Sequence, residues 1–199
     1  DDIRAATGLE WDIATGDRWP GFITLTTFDD PHAHPSGAYT LDVTPDGVTV
    51  AGVDFEGVRN GVQTLRQLIR QCGAALPCLH IEDRPAFETR GYYLDATRGR
   101  VPTLDWLKHW ADKLCLYKYN QLQLYIEHTF AFDSMSETWR GSSPLTPRDI
   151  LEFDDYCAER GIELVPSVST FGHLYMALRT QSLRDLGEFP ETADEPFGF

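Results

Sequence analysis

The chain has 199 residues, of which 17 are Lys or Arg and 31 are Asp or Glu, a formal charge of −14 at pH 7. That balance excludes a nucleic-acid binder, because neutralising phosphates takes Lys and Arg. Its 42% apolar and 24% charged residues suit a folded globular chain, and no apolar run nears the ~20 residues of a membrane-spanning helix, so no membrane partner is expected.

The start, Asp1-Asp2-Ile3-Arg4, lacks a basic-then-apolar signal segment, which favours the cytoplasm over secretion. Phe22 to Thr26 alternates and is rich in β-formers, so it reads as a strand. Residues 29–37 follow as a polar, proline-bracketed loop. His32 and His34 in that loop have metal-ligand spacing but no evident third ligand, so no metal is expected. Two alternating runs, Tyr39–Val43 and Val48–Val53, flank Pro45-Asp46-Gly47 and predict a hairpin. Val58, Val62, Leu65, Ile69 and Cys72 recur at helical spacing, and Gly73 is placed to end that helix. This first part reads as a small α+β domain with a helix on a sheet.

From residue 87 the pattern changes. Thr89–Ala96 reads as a strand. Thr103 can cap a helix whose Leu104, Leu107, Ala111 and Leu114 form one stripe. Asn120–Ile126 is a second strand. Thr146, Pro147 and Asp149 then open another helix as a capping-box variant, with Gly161 at its end. Ile162–Val168 is a third strand. Strand–helix–strand–helix–strand predicts parallel pairing. The fold class is therefore α/β. A complete (β/α)₈ barrel needs roughly 250 residues, so the second part is either a small open sheet or the opening of a truncated barrel. Trp106 and Trp110 sit at helical spacing and read as packing residues, and core packing is also favoured for Phe130, Phe132 and Trp139. The cysteines Cys72, Cys78, Cys115 and Cys157 show no C-x-x-C spacing. Three fall on apolar helix faces and are expected as buried free thiols; a Cys72–Cys78 bridge is the alternative in an oxidising compartment.

Five segments carry a resemblance. Gly57-Val58-Arg59-Asn60-Gly61-Val62-Gln63-Thr64-Leu65-Arg66-Gln67-Leu68 resembles the "G-x-x-x-G-x-Q-T-L-x-Q-L" helix of the accessory domain in family 20 glycoside hydrolases, the β-N-acetylhexosaminidases. Ile81 to Phe87 resembles their "I-x-D-x-P-x-F" connector, and Arg90 to Arg98 their "R-G-x-x-L-D-x-x-R" first barrel strand. Lys118 to Leu122 matches "K-x-N-x-L", and Val165 to His173 resembles the third strand, usually "I-P-E-I-D-x-P-G-H". The order and spacing of all five are those of the family. The resemblance implies a zincin-like α+β accessory domain over residues 1–84. It also implies the first three βα units of a (β/α)₈ TIM barrel over residues 85–199.

It further implies retaining hydrolysis of terminal β-linked N-acetylhexosamine from a carbohydrate substrate, without cofactor or metal. In this family the substrate's own acetamido oxygen attacks the anomeric carbon, an exception to the two-carboxylate scheme. The supporting Asp-Glu pair ends the fourth barrel strand. Only three strands are evident here, and the acidic residues Glu188, Glu191, Asp194 and Glu195 lie in a strand-poor tail. The pair is therefore expected beyond Phe199, the fragment is expected to be inactive alone, and its open barrel edge is expected to promote self-association.

By the same resemblance Arg98 binds sugar hydroxyls, which its planar fork of donors suits; the alternative is a structural ion pair with Asp95. His173 matches a histidine that helps hold the general acid. Serines Ser167 and Ser169 stand where carboxylates are usual. After the second strand the family reads "D-D"; a gapless match puts His128 on the first aspartate, and a one-residue shift puts Glu127 there. Two alternative readings remain. An O-GlcNAcase-like enzyme usually has "E-G-F-Y-G" after "R-G", where this chain has Tyr92-Tyr93-Leu94-Asp95. A non-catalytic carbohydrate-binding or interaction module would account for the changes at residues 127, 128, 167 and 169.

Overall fold

The computed structural model describes residues 2–8, 10, 12–16, 21–28, 30 and 34–192. The chain divides into two compact units, residues 1–88 with 116–118, and residues 89–115 with 119–199.

In the first unit a short helix α1 (Asp2–Thr7) precedes strands β1 (Phe22–Thr27), β2 (Tyr39–Thr44) and β3 (Gly47–Gly52), helix α2 (Phe55–Cys72) and strand β4 (Leu79–Asp83). The sheet runs β1-β3-β2-β4. The expected hairpin is present, with Val43 opposite Val48 and Thr44 opposite Gly47. Gly47 has φ 144°, and a Cβ there would stand 2.7 Å from the Phe22 carbonyl oxygen. Only glycine lets β1 pair with β3 from its first residue. That pairing is parallel, Phe22 opposite Gly47, which the alternation of Phe22–Thr26 alone does not reveal. Strand β4 pairs antiparallel with β2, and its second half falls in Ile81 to Phe87, which the sequence alone reads as a connector. Its only inward apolar residues are Leu79 and Ile81, too few for a periodic signal.

Helix α2 starts at Asp54, whose carboxylate accepts from the Gly57 amide at 2.7 Å, and ends at Gly73, φ 69°. Its G-x-x-x-G spacing has a packing cause. A Cβ on Gly57 would run into the Ala38 carbonyl oxygen, and one on Gly61 into Val50 and the Tyr39 ring. The polar residues between are also used: Asn60 Nδ2 donates to the Gly37 carbonyl at 3.1 Å, and Thr64 Oγ1 lies 2.6 Å from Tyr39 Oη. Leu65 and Ile69 then seat on Tyr39, Leu41, Val43 and Val50. Arg66 and Arg70 hold Asp2 of α1 at 2.5 and 2.9 Å.

The second unit is built on a three-stranded sheet, β5 (Gly91–Asp95), β6 (Gln121–Ile126) and β7 (Glu163–Val168), in that order and all parallel. Helix α3 (Leu104–Leu116) connects β5 to β6; helices α4 (Ser136–Trp139) and α5 (Pro147–Ala158) lie between β6 and β7, and the short helix α6 (Tyr175–Leu178) follows β7. The caps are those the sequence predicts. Thr103 Oγ1 accepts from the Trp106 amide at 3.3 Å, and Thr146 and Asp149 form a reciprocal capping box. Leu107, Ala111, Leu122, Phe153 and Cys157 are fully buried between helices and sheet. Trp106 and Trp110 stack at 5.5 Å and pack against this core, as do Phe130 and Phe132. After α6 the chain forms only short 3₁₀ turns through Thr192; Asp194 and Glu195 lie outside the described residues.

All four cysteines are free thiols. Cys115 and Cys157 are buried, but Cys72 is exposed, a correction to the sequence reading. Ile69 is the last buried residue of α2, so its final turn overhangs the sheet. Burial pushes the Cys157 thiol up to about 12, and Asp154 adds to the shift.

Candidate active site

In a parallel sheet, side chains from several strands meet beyond the carboxyl ends. Here β5 ends at Asp95, β6 runs into Glu127, and β7 runs into Ser169 and the turn carrying His173. Arg98 joins the three. Its Nη1 donates to Asp95 Oδ2 at 2.6 Å, and its Nη2 reaches Glu127 Oε1 and His173 Nδ1, both at 3.0 Å. Guanidinium nitrogens only donate, so His173 Nδ1 accepts and the ring proton sits on Nε2. His173 has φ 57°. A left-handed non-glycine residue is sparsely populated, and such residues cluster at functional sites.

Tyr125 lies under this cluster. Its hydroxyl donates to Glu127 Oε1 at 2.7 Å and accepts from Ser169 Oγ at 3.1 Å. The Arg98 guanidinium carbon stands 5.4 Å from the centre of its ring. Burial raises the Tyr125 pKa, Ser169 opposes the rise, and the Glu127 carboxylate adds to it, so the phenol stays a donor. Burial also disfavours the charge on Asp95, but Arg98 and the Thr97 amide and hydroxyl outweigh it and hold the carboxyl below its ordinary value. The Arg98 pKa is raised in turn, first by Asp95. Two carboxylates around one guanidinium leave the cluster acidic. Arg98 keeps 54% of its side chain exposed while Glu127 keeps 14%, so the guanidinium is the more accessible of the two.

The structure thus brings Arg98, Glu127 and His173 together. The ion pair of Arg98 with Asp95, the alternative reading of that residue, is present as well. His128 does not bond to this group. It lines an adjoining cleft of ≈ 340 Å³, together with Glu127, Ser169, His173 and the apolar Phe132 and Met135. Its Nδ1 is buried without a hydrogen-bond partner among the described residues. Ser169 bonds to Tyr125, and Ser167 stands beside Tyr125 in the sheet register. Trp139 Nε1 donates to the Phe132 carbonyl at 2.8 Å, which fixes it under its loop. Sequence reasoning missed Tyr125. The available signal was its place one residue before the end of β6, out of phase with Leu122 and Leu124 of the core. His34 tilts against Phe28 at 5.1 Å; its counterpart in the H-x-H pair, His32, lies outside the described residues.

A sequence profile described as glycosyl hydrolase family 20, domain 2, matches residues 1–84. A β-hexosaminidase of Akkermansia muciniphila is 31% identical over 157 residues, covering 68% of this chain and 32% of the relative. An N,N'-diacetylchitobiase of Vibrio harveyi is 25% identical over 182 residues, 75% of this chain and 20% of the relative. Among solved structures, an N-acetyl-β-hexosaminidase of Streptomyces plicatus superposes with a TM-score of 0.79 at 30% identity, covering 95% of this chain and 41% of that one. The chain spans about a third or less of the length of the curated relatives it matches. Profile, relatives and structural neighbours agree, and the chain belongs to the family 20 glycoside hydrolases, corresponding to their N-terminal region.

Proposed function

We propose that residues 1–84 are the accessory domain, and residues 85–199 the first three βα units of the catalytic barrel, of a β-N-acetylhexosaminidase. The reaction is retaining, substrate-assisted hydrolysis of terminal β-linked N-acetylglucosamine or N-acetylgalactosamine. The 2-acetamido oxygen of the sugar attacks its own anomeric carbon, and the acid that protonates the leaving oxygen lies outside this chain. Within the chain, Arg98 donates to sugar hydroxyls from the strand-end rim. Asp95 and Glu127 fix its fork, so little side-chain entropy is lost on binding. His173 holds the second Arg98 nitrogen through its Nδ1. His128 lines the cleft beside them.

The observation that carries this reading is the convergence of Arg98, Glu127 and His173 from three consecutive parallel strands. The names of the relatives support it further, and the O-GlcNAcase alternative has no such support. The test is hydrolysis of an aryl N-acetyl-β-glucosaminide by residues 1–199 and by a chain extended past Phe199. The extended chain turns over and the fragment does not. Turnover by the fragment would place the acid within these residues; an inert extended chain would leave a carbohydrate-binding module.

A further inference from the structure

The first unit carries its own cleft, of ≈ 290 Å³, lined by Phe28, His34, Thr40, Glu82, Asp83 and Arg84 among others. Strand alternation explains its floor. Tyr39, Leu41 and Val43 face α2, so Thr40 and Asp42 face the other way. Thr40 stands opposite Glu82, and Asp42 opposite His80. The outer rung is closed, since His80 Nδ1 lies 2.6 Å from Asp42 Oδ1. Asp83 is also engaged, accepting from Tyr39 Oη at 2.9 Å and from Lys118 Nζ at 3.2 Å. Thr40, Glu82 and the Arg84 guanidinium have no side-chain hydrogen bond or ion pair among the described residues. Above this polar floor the rings of Phe28 and His34 meet at 5.1 Å with a 54° tilt.

We propose that this cleft is a second carbohydrate-binding site, taking one N-acetylhexosamine ring of a glycan. A pyranose has a C–H face that packs on aromatic rings and an edge of hydroxyls. The Phe28–His34 pair offers the first surface, and Thr40, Glu82 and Arg84 offer an acceptor and a donor fork for vicinal hydroxyls. The ≈ 290 Å³ volume falls just under the roughly 300–1,000 Å³ of sites for drug-sized ligands, which suits one ring rather than a longer segment. With Glu82 and Asp83 in the wall and a chain charge of −14, an anionic ligand is disfavoured. The class of ligand rests on the glycan-hydrolase reading; the cleft itself does not.

The test is a titration of isotope-labelled residues 1–199 with N,N',N''-triacetylchitotriose, followed by amide NMR shifts. Shifts are expected at residues 38–40 and 82–84, and they persist in Arg98→Ala, which disables the rim of the other unit. Glu82→Gln weakens binding about tenfold, the scale of one charge-assisted hydrogen bond. Phe28→Ala weakens it about fivefold through lost ring contact. Glu82 is exposed on the surface, so its variant keeps the fold whatever Phe28→Ala does. Shifts confined to residues 95–98, 127 and 173, no shifts at all, or wild-type binding by Glu82→Gln would overturn the site. Hydrolysis by the extended chain is a separate readout, so loss of one result leaves the other standing.

Discussion

Arg98 is more than half exposed and yet has both terminal nitrogens engaged, by Asp95, Glu127 and His173. In the proposed role as a sugar-hydroxyl donor, that arrangement fixes its geometry before binding. Lysine keeps the charge but has no planar fork, so it cannot bridge Asp95 and Glu127 as Arg98 does. In the extended chain Arg98→Lys is expected to lower kcat/KM by roughly ten- to a hundredfold, the range of one or two lost charge-assisted hydrogen bonds. Thermal stability should change little, since exposed ion pairs contribute little. Steady-state kinetics beside a melting curve checks both; unchanged kinetics would reduce Arg98 to a surface ion pair. Tyr125 belongs to the same scale. It links Glu127 to Ser169, so both side chains are held from the end of β6.

At the scale of the element, α2 depends on Asp54. That carboxylate accepts from the Gly57 amide and from Gly37 and Ser36, so it caps the helix and anchors the preceding loop. Burial opposes its charge, but Ser36 and the two amides outweigh that and hold its pKa below the ordinary aspartate value. Asp54→Ala is expected to cost about 1–2 kcal/mol, and Asp54→Asn, which keeps an acceptor, markedly less. The pH dependence has a definite sign. With the folded pKa depressed, the contribution is fully present above the unfolded value of about 3.9. It is lost as pH falls through the folded value. Urea melts at pH 6 and pH 3 should therefore show the gap between wild type and Asp54→Ala narrowing at the lower pH. A gap that widens would rule out the capping charge as its source.

At the scale of the whole molecule, each unit has its own core, Tyr39, Leu41, Val50 and Leu65 in one and Leu107, Leu122, Phe153 and Cys157 in the other. In the three-stranded sheet β5 and β7 each have one neighbour among the described residues. Val168 on β7 is 46% exposed, and Phe171 just after it is fully exposed. Parallel strands are ordinarily covered on both faces, and an uncovered edge is a template for pairing. Residues 1–199 are therefore expected to self-associate with rising concentration, and Val168→Lys to reduce it. Sedimentation velocity checks this; a monomer throughout would show that the edge is protected.

Much of this was legible in the sequence because it is local. The hairpin follows from alternation around Pro45-Asp46-Gly47, the α2 stripe from spacing, and the α5 start from Thr146 and Asp149, all set by residues within a few positions of one another. The motif resemblance also pointed to Arg98, Glu127 and His173. It left Glu127 and His128 as alternatives, because a gapless match and a one-residue shift put different residues on the same motif position. Tertiary structure decided what depends on distant partners: the parallel seat of β1 on β3, the strand at Leu79–Asp83, the exposure of Cys72, and the choice of Glu127 as the partner of Arg98. Arg98 and His173 are 75 residues apart, and only the packing of parallel strands brings their side chains to one rim.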